Sequence, residues 1–151
     1  MSGPSKVPQT TRAEDVNMFF ASQETKKANW DLAAQKHGHK IDIWSGKSPM
    51  TNHIRVLLCT LDNILWPNHG WERVGMDKVA DTSKVKLYYR KATMLCHPDK
   101  IGESDPEKVY IANRCFAAIT EAYNAFKVRL LVNSNLSIER GRNQLRHLHN
   151  S

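Results

Sequence analysis

The hydrophobic positions in the middle of the chain follow helical spacing. Between residues 51 and 66, apolar side chains recur every three or four positions, and Pro67 closes the run. A second apolar run ends before Pro98, because the residue that precedes a proline is pushed out of the helical region. These patterns predict two amphipathic helices. Their apolar positions are Ile54, Leu57, Leu58, Leu61, Ile64 and Leu65 in the first, and Val85, Tyr88, Tyr89, Ala92, Leu95 and Cys96 in the second.

A third helix is predicted to begin after Asp105, which can cap its N-terminus. Pro106 then takes the first helical position, and Glu107 lies beside the positive end of the helix dipole. Only the short loop 97–104 joins the second and third helices, so we expect them to pack antiparallel. The apolar positions of the third helix are Ile111, Cys115, Phe116, Ile119, Ala122, Tyr123 and Phe126.

The segments around these helices carry weaker patterns. Residues 1–12 have almost nothing to bury and predict a disordered lead, while residues 13–50 predict an N-terminal helical extension. In that extension we expect one helix or a pair of helices, with Gly38 as a stop. The connection between the first two central helices is long but contains Trp71, Val74, Met76 and Val79, which can pack against the core, so it is predicted to be ordered. Residues 133–151 form a polar basic tail, either frayed or a short extra helix.

Composition limits the class of protein. A chain of 151 residues with 40% hydrophobic and 25% charged residues suits one domain with one core and excludes a large multidomain enzyme. No apolar stretch is long enough to span a bilayer or to act as a signal peptide, so we expect a soluble cytoplasmic protein without membrane insertion. The three cysteines lie in apolar patterns and are predicted to be reduced. No zinc spacing and no glycine-rich phosphate loop occurs, so no metal or other cofactor is expected.

The net charge of +7 includes one local run of basic residues that indicates a binding surface. Residues 83–96 contain Lys84, Lys86, Arg90 and Lys91 and no acidic residue. This basic helix leads directly into His97-Pro98-Asp99-Lys100 at the tip of the predicted hairpin. On a helical wheel Lys86, Arg90 and His97 share one side, and Lys84 and Lys91 lie beyond it.

The tip has a chemistry that suits docking. Pro98 fixes the turn, and Asp99 can offer two acceptor oxygens to an arginine of a partner. If this region binds no partner, the loop is an ordinary turn and the basic run is a solvent-exposed helix face. The position of the basic run beside the loop favours a binding face.

At these residues the chain resembles a known family. The segment VKLYYRKATMLCHPDK resembles the second helix and loop of a J-domain. IRVLLCTLDNILW, GWERVGMDKV and FAAITEAYNAF are similar to the J-domains of auxilin and cyclin-G-associated kinase, and the similarity begins near Ile43-Trp44-Ser45-Gly46-Lys47. The resemblance implies an all-α fold in which residues 51–132 form a J-domain. In it, helix I and a long ordered loop precede the antiparallel helices II and III.

The resemblance also implies a function. J-domains bind a chaperone of the heat shock protein 70 class and stimulate its ATP hydrolysis, and auxilins thereby uncoat clathrin-coated vesicles. The protein would be a cochaperone without a catalytic site of its own, and the ATP site would belong to the partner. Carried over to this sequence, the triggering loop is His97, Pro98 and Asp99, and the docking face is Lys86, Tyr89, Arg90 and Lys91, flanked by Lys84 and Lys100.

In its clathrin-binding peptides the chain differs from the auxilins that it resembles. The short DPF and DLL peptides that usually precede auxilin J-domains do not occur in this chain. Residues 58–62 loosely mimic a clathrin box, but their leucines should be buried. Trp30 and Trp44 are therefore the candidate clathrin anchors, because buried aromatics dominate small interfaces.

Other classes stay open. The client could be something other than clathrin. A small basic helical protein could also bind nucleic acid, but the basic helix lacks a set of base-reading side chains. A hydrolase would need a nucleophile paired with a base, and the sequence offers no such arrangement.

Overall fold

A computed structural model describes residues 10–46 and 52–150. These residues form helices and connecting turns without any strand, so the prediction of an all-α fold is confirmed. A 3₁₀ turn, Leu61–Asn63, follows the second helix. The helices are α1 (Thr10–Ser45), α2 (Ile54–Thr60), α3 (Met76–Val79), α4 (Thr82–Leu95), α5 (Pro98–Ile101) and α6 (Pro106–His149).

Helices α4 and α6 form the predicted antiparallel hairpin. Tyr89 of α4 stacks on Tyr123 of α6, whereas His97, further along the chain, contacts Phe116, which comes earlier in α6. The start of α6 also confirms the local signals, because the Asp105 carboxylate accepts hydrogen bonds from the backbone N–H groups of the first turn at 3.1 and 3.2 Å. The hairpin is thus specified by residues close to its own loop.

One core joins the hairpin to α2. Leu57, Leu61, Val85 and Ile119 are all fully buried in it. Helix α2 is shorter than the predicted helix over 51–66, because the N–H groups of residues 64 and 65 both turn back to the carbonyl of Leu61. The backbone forms a 3₁₀ turn at this point, shortly before Pro67. The ring of a proline disfavours a helical conformation for the residue that precedes it.

The connection between α2 and α4 is ordered, as predicted. Val74 and Val79 are buried, and the short helix α3 lies within the segment. Met76, which is also predicted to pack there, is 53% exposed. Arg55 of α2 donates from Nε to the carbonyl of Val79 over 2.7 Å. This bond closes the long connection onto the helix that precedes it.

The N-terminal extension departs from the prediction at Gly38. Helix α1 begins at Thr10 and runs without a break to Ser45. Gly38 does not stop the helix but allows a close approach to α6, since a Cβ there would lie 3.2 Å from the Tyr110 hydroxyl. Ala33, Ile41 and Trp44 enter the common core. The prediction of a disordered lead over residues 1–12 is wrong for residues 10–12, which belong to α1. The predictions for residues 1–9 and 47–51 lie outside the described part of the chain.

Helix α6 also differs from the prediction at its end. It continues through the basic tail to His149, so the tail is neither frayed nor a separate short helix. Residues 131–150 are exposed along its surface, as are residues 12–28 of α1. Across the described ranges, every helix is too short or too polar to span a bilayer.

Candidate functional site

The loop between α4 and α6 is built around the His97 side chain. Helix α4 ends at Leu95, and His97 caps the next short helix by accepting a hydrogen bond at Nδ1 from the backbone N–H of Asp99 over 3.2 Å. Pro98 takes the first position of α5, so it begins a new helical turn in addition to ending α4. Gly102, at φ +69°, then turns the chain toward α6.

Asp99 is the most outward group of this loop. Its side chain is 90% exposed and lies 3.8 Å from His97 Nδ1. Among the residues that the structure describes, no lysine or arginine pairs with this carboxylate. The His97 ring meets Phe116 edge-on, with centroids 5.9 Å apart. The histidine therefore holds the loop against α6 while the carboxylate stays available to a partner.

One flank of α4 leads into this loop. Lys86 and Arg90 are exposed there and form no ion pair within the described ranges. Tyr89 lies beside them, half-buried, and stacks on Tyr123 with centroids 3.9 Å apart and planes 13° apart. The flank therefore presents exposed cations around an aromatic residue that stacks on α6.

Lys91 and Lys100 lie on the other flank. Lys91 Nζ lies 5.3 Å from the centroid of the Tyr88 ring and lines a cleft of about 320 Å³ with Trp71. An adjoining cleft of about 390 Å³ is lined by Lys91, Lys100 and Trp66. The predicted docking residues consequently occupy two flanks of α4 and meet only near the loop.

Lys84 stands apart from both groups. It lies in the first turn of α4, at the end of the helix remote from the loop. Its neighbour Asp81 caps α4, and the hydrogen bonds from Ser83 lower the pKa of that carboxyl, with a smaller contribution from Lys84. Lys84 extends the basic surface along α4 by about 20 Å from His97.

The two candidate tryptophans differ in exposure. Trp44 is 8% exposed and donates from Nε1 to the Thr60 hydroxyl over 3.0 Å, so the structure does not present it on the surface. Trp30 is 40% exposed and meets Tyr110 edge-on, with centroids 4.7 Å apart. It lines an open cleft of about 230 Å³ between α1 and the start of α6. Of the pair, only Trp30 remains a surface candidate.

The loosely clathrin-box-like segment is buried. Leu58 and Leu61 have no exposed surface, which agrees with the prediction that these leucines belong to the core. The histidines, cysteines and carboxylates of the described residues form no group of three that could hold a metal ion.

Sequence reasoning missed the polar contacts between α1 and α6. Lys36 Nζ lies 2.8 Å from Glu107 Oε1, and His37 Nε2 lies 3.0 Å from Glu107 Oε2. These hydrogen bonds, that of Lys36 first, lower the pKa of the Glu107 carboxyl. Asp42 pairs with Arg114, about two turns after Glu107 in α6. The partners are some 70 positions apart in the chain, so no local pattern could have connected them.

Comparison with known proteins places the site in a family context. Auxilin-related protein 1 of Arabidopsis thaliana is 40% identical over 76 residues, which are 49% of this chain and 8% of that protein. An auxilin-like clathrin uncoating factor of Saccharomyces cerevisiae is 36% identical over 96 residues, which are 62% of this chain and 14% of that protein. No protein-family model matches the chain.

A third relative carries the domain in its name. It is the J domain-containing protein required for chloroplast accumulation response 1 of Arabidopsis thaliana, 38% identical over 106 residues, or 67% of this chain and 16% of that protein. The chain thus spans less than a fifth of the length of these relatives. Its helical hairpin, its His-Pro-Asp loop and these similarities together identify a J-domain of the auxilin type.

Proposed function

We propose that this chain is a cochaperone that docks a chaperone of the heat shock protein 70 class and stimulates its ATP hydrolysis. The observation that supports this function is the Asp99 carboxylate, 90% exposed on a loop that His97 and Pro98 hold in shape. Lys86 and Arg90, on the flank of α4 that leads into this loop, are exposed and form no ion pair among the described residues. The ATP site and the hydrolytic chemistry belong to the partner.

Each part of the site has a physical role in this proposal. The two oxygens of Asp99 would accept a bidentate pair of hydrogen bonds from an arginine of the chaperone, which is both strong and directional. Lys86 and Arg90 would attract an acidic chaperone surface and speed the encounter. Tyr89, held by Tyr123, would supply a rigid aromatic contact between those cations. Lys84, Lys91 and Lys100 would extend the attraction around α4.

The proposed client is a clathrin coat, which would place the protein in the cytoplasm on coated vesicles. A relative whose name describes clathrin uncoating supports this choice, and the exposed Trp30 offers an aromatic contact. The second candidate is a cochaperone for another client. The relative named for the chloroplast accumulation response favours that alternative.

The substitution Asp99→Asn tests the function. It preserves the size of the side chain and removes the charge, so we expect stimulation of chaperone ATPase to fall at least tenfold while the unfolding transition stays unchanged. The matched control is Glu139→Gln, which neutralises an exposed carboxylate at the far end of α6 and should stimulate like the wild type. Equal stimulation by both variants would contradict the proposed docking site.

The client is tested in the same assay with assembled clathrin cages. Wild-type protein with the chaperone and ATP should release clathrin, and Asp99→Asn should not. If the full chain stimulates the chaperone but neither sediments with cages nor releases clathrin, the client is not clathrin.

A further inference from the structure

The cleft of about 390 Å³ beside α4 gathers lysines from three helices. Lys91 of α4, Lys100 of α5 and Lys108 of α6 line it, and it is here named the lysine cleft. In the part of the chain that the structure describes, no acidic residue lines this cleft and none of the three lysines forms an ion pair. Three positive charges therefore share one concave surface.

The turn that follows Pro67 adds neutral hydrogen-bond donors to the lysine cleft. His69 lines the cleft, and its Nδ1 accepts a hydrogen bond from the backbone N–H of Trp71 over 2.9 Å. Because Nδ1 is the acceptor, the neutral imidazole carries its proton on Nε2, which is therefore a donor. Asn68 also lines the cleft, and its side-chain amide can donate two hydrogen bonds. The cleft thus combines donors from this turn and three helices.

Below these donors the lysine cleft is apolar. Trp66 is 8% exposed, and Lys108 Nζ lies 5.2 Å from the centroid of its ring. Leu95 and Ile101 line the cleft as well and pack against the core. An anion beside apolar side chains interacts more strongly with cations than it would in open water, because the local dielectric constant is lower.

We propose that the lysine cleft binds a small molecule with two or more phosphate groups, either free in solution or as the headgroup of a lipid. The volume of the cleft lies within the range of small-molecule sites. One phosphate group carries a charge of about −1.5 to −2 near neutral pH, so two of them balance three ammonium groups. An ammonium donates in three directions, which suits the tetrahedral oxygens of a phosphate.

Charge density favours phosphate over an acidic segment of a protein. A carboxylate carries a single charge, so a peptide would have to place three acidic side chains in one small cleft. The neighbouring cleft at Tyr88 is less suited to an anion, because Glu72 lines it together with Lys91. The inference goes beyond chaperone docking, since Lys108 lies outside the predicted docking residues.

The test titrates the full chain with inorganic pyrophosphate at physiological ionic strength, measured by calorimetry. We expect Lys108→Met to weaken binding about tenfold, because a hydrogen bond to a charged group contributes enough free energy for that factor. Methionine keeps an apolar stem against Trp66, so the variant should fold and stimulate the chaperone like the wild type. Lys100→Met, at an exposed position, should weaken pyrophosphate binding by a similar factor and does not disturb Trp66.

The matched control is Lys127→Met. Lys127 is also an α6 lysine beside an aromatic ring, with its Nζ 5.3 Å from the centroid of Tyr123. It follows Lys108 by about 28 Å along the helix and should leave pyrophosphate binding unchanged.

Vesicles distinguish the two sources of phosphate. Phosphatidylcholine vesicles with a bisphosphorylated phosphatidylinositol should sediment the wild type and not Lys108→Met if the ligand is a lipid headgroup. Pyrophosphate binding that depends on Lys108, without sedimentation on these vesicles, assigns the lysine cleft to a free phosphate compound.

Three outcomes would overturn the inference. The first is a wild type that does not bind pyrophosphate. The second is an equal affinity of wild type, Lys108→Met and Lys127→Met, which would assign the attraction to the net charge of the chain. The third is Lys108→Met that stimulates the chaperone less than the wild type while it binds pyrophosphate normally, because the cleft would then belong to the chaperone interface.

Discussion

Helix α6 packs against α4 on one side and against α1 on another, and these two attachments differ in how far apart their residues lie in the chain. On one side it packs against α4 through contacts near the loop, such as Tyr89 on Tyr123 and His97 on Phe116. On another side it holds α1, whose partners are some 70 positions away in the chain. The first attachment is made within one hairpin, and the second joins segments that are some 70 positions apart in the chain. One helix thus carries both a local attachment and a long-range attachment.

The two attachments also differ in what stabilises them. The α4 side belongs to the buried core with α2. The α1 side combines Ala33, Ile41 and Trp44 with an exposed rim of ion pairs. Ion pairs of this kind contribute little because water and salt screen them. The apolar residues of α1 must therefore supply most of the free energy that holds it.

The largest effect is expected from breaking the core that both attachments share. Ile119 of α6 has no exposed surface, and Ile119→Ala would leave a cavity as well as lose burial. We expect the free energy of unfolding to fall by about 3 kcal/mol. Urea denaturation followed by circular dichroism measures it, and a loss below about 1 kcal/mol would show that the site collapses around the smaller side chain.

A smaller effect should separate the two attachments. In Gly38→Leu the new Cβ would lie only 3.2 Å from the Tyr110 hydroxyl, and the rest of the leucine side chain would need further space. The substitution should therefore push α1 away from α6. We expect a loss of about 2 kcal/mol. Hydrogen exchange should show lost protection in α1 while α4 stays protected.

The matched control for that variant is Gly141→Leu. A Cβ at Gly141 meets nothing within 4 Å, so leucine should stabilise the helix by a few tenths of a kcal/mol to about 1 kcal/mol. If the Gly38 variant lowers protection equally in α1 and α4, the two attachments unfold as one unit.

The smallest expected effect concerns the exposed ion pairs between α1 and α6, and it depends on pH. Lys36, and then His37, lower the pKa of Glu107 below its usual value of 4.5 by hydrogen bonding to the carboxylate. A carboxylate with a lowered pKa in the folded state stabilises that state above its unfolded pKa, and the stabilisation is lost as the pH falls through the folded pKa. The unfolding free energy of the wild type should therefore decline more steeply below about pH 4.5 than that of Glu107→Gln. Thermal melts between pH 3 and pH 7 measure the difference, and identical profiles would contradict the role of this rim.

A structural feature can be predicted from the sequence when the residues that cause it are close together in the chain. The start of α6 is predictable because Asp105 and Pro106 act within one turn. The course of α1 through Gly38 is not, because the contact that explains the glycine comes from Tyr110. The continuity of α6 through the tail is not predictable either, although a short helix there is one of the expected alternatives. Its Ser134 and Ser137 usually favour turns, but here each hydroxyl donates to a carbonyl one turn back, at 2.9 Å.

The candidate site shows the same limit. The order of His97, Pro98 and Asp99 at a hairpin tip can be read from neighbouring residues, and the structure places them there. The separation of Lys91 from Arg90 is also local, because consecutive residues of a helix lie about 100° apart around its axis. The burial of Trp44 depends on Thr60 of α2, which the sequence pattern does not connect to it. Long-range partners thus decide which side chains reach the surface.

The 44-residue length of α6 has a mechanical consequence. At 1.5 Å per residue the helix measures about 66 Å, with the His-Pro-Asp loop at one end and the basic residues around Arg146 at the other. A continuous helix fixes both the spacing and the angular phase of its two ends. One inserted residue beyond Phe126 would turn the basic end by about 100° relative to the loop while moving it only about 1.5 Å. The helix therefore defines the angular phase of its two ends as closely as the distance between them.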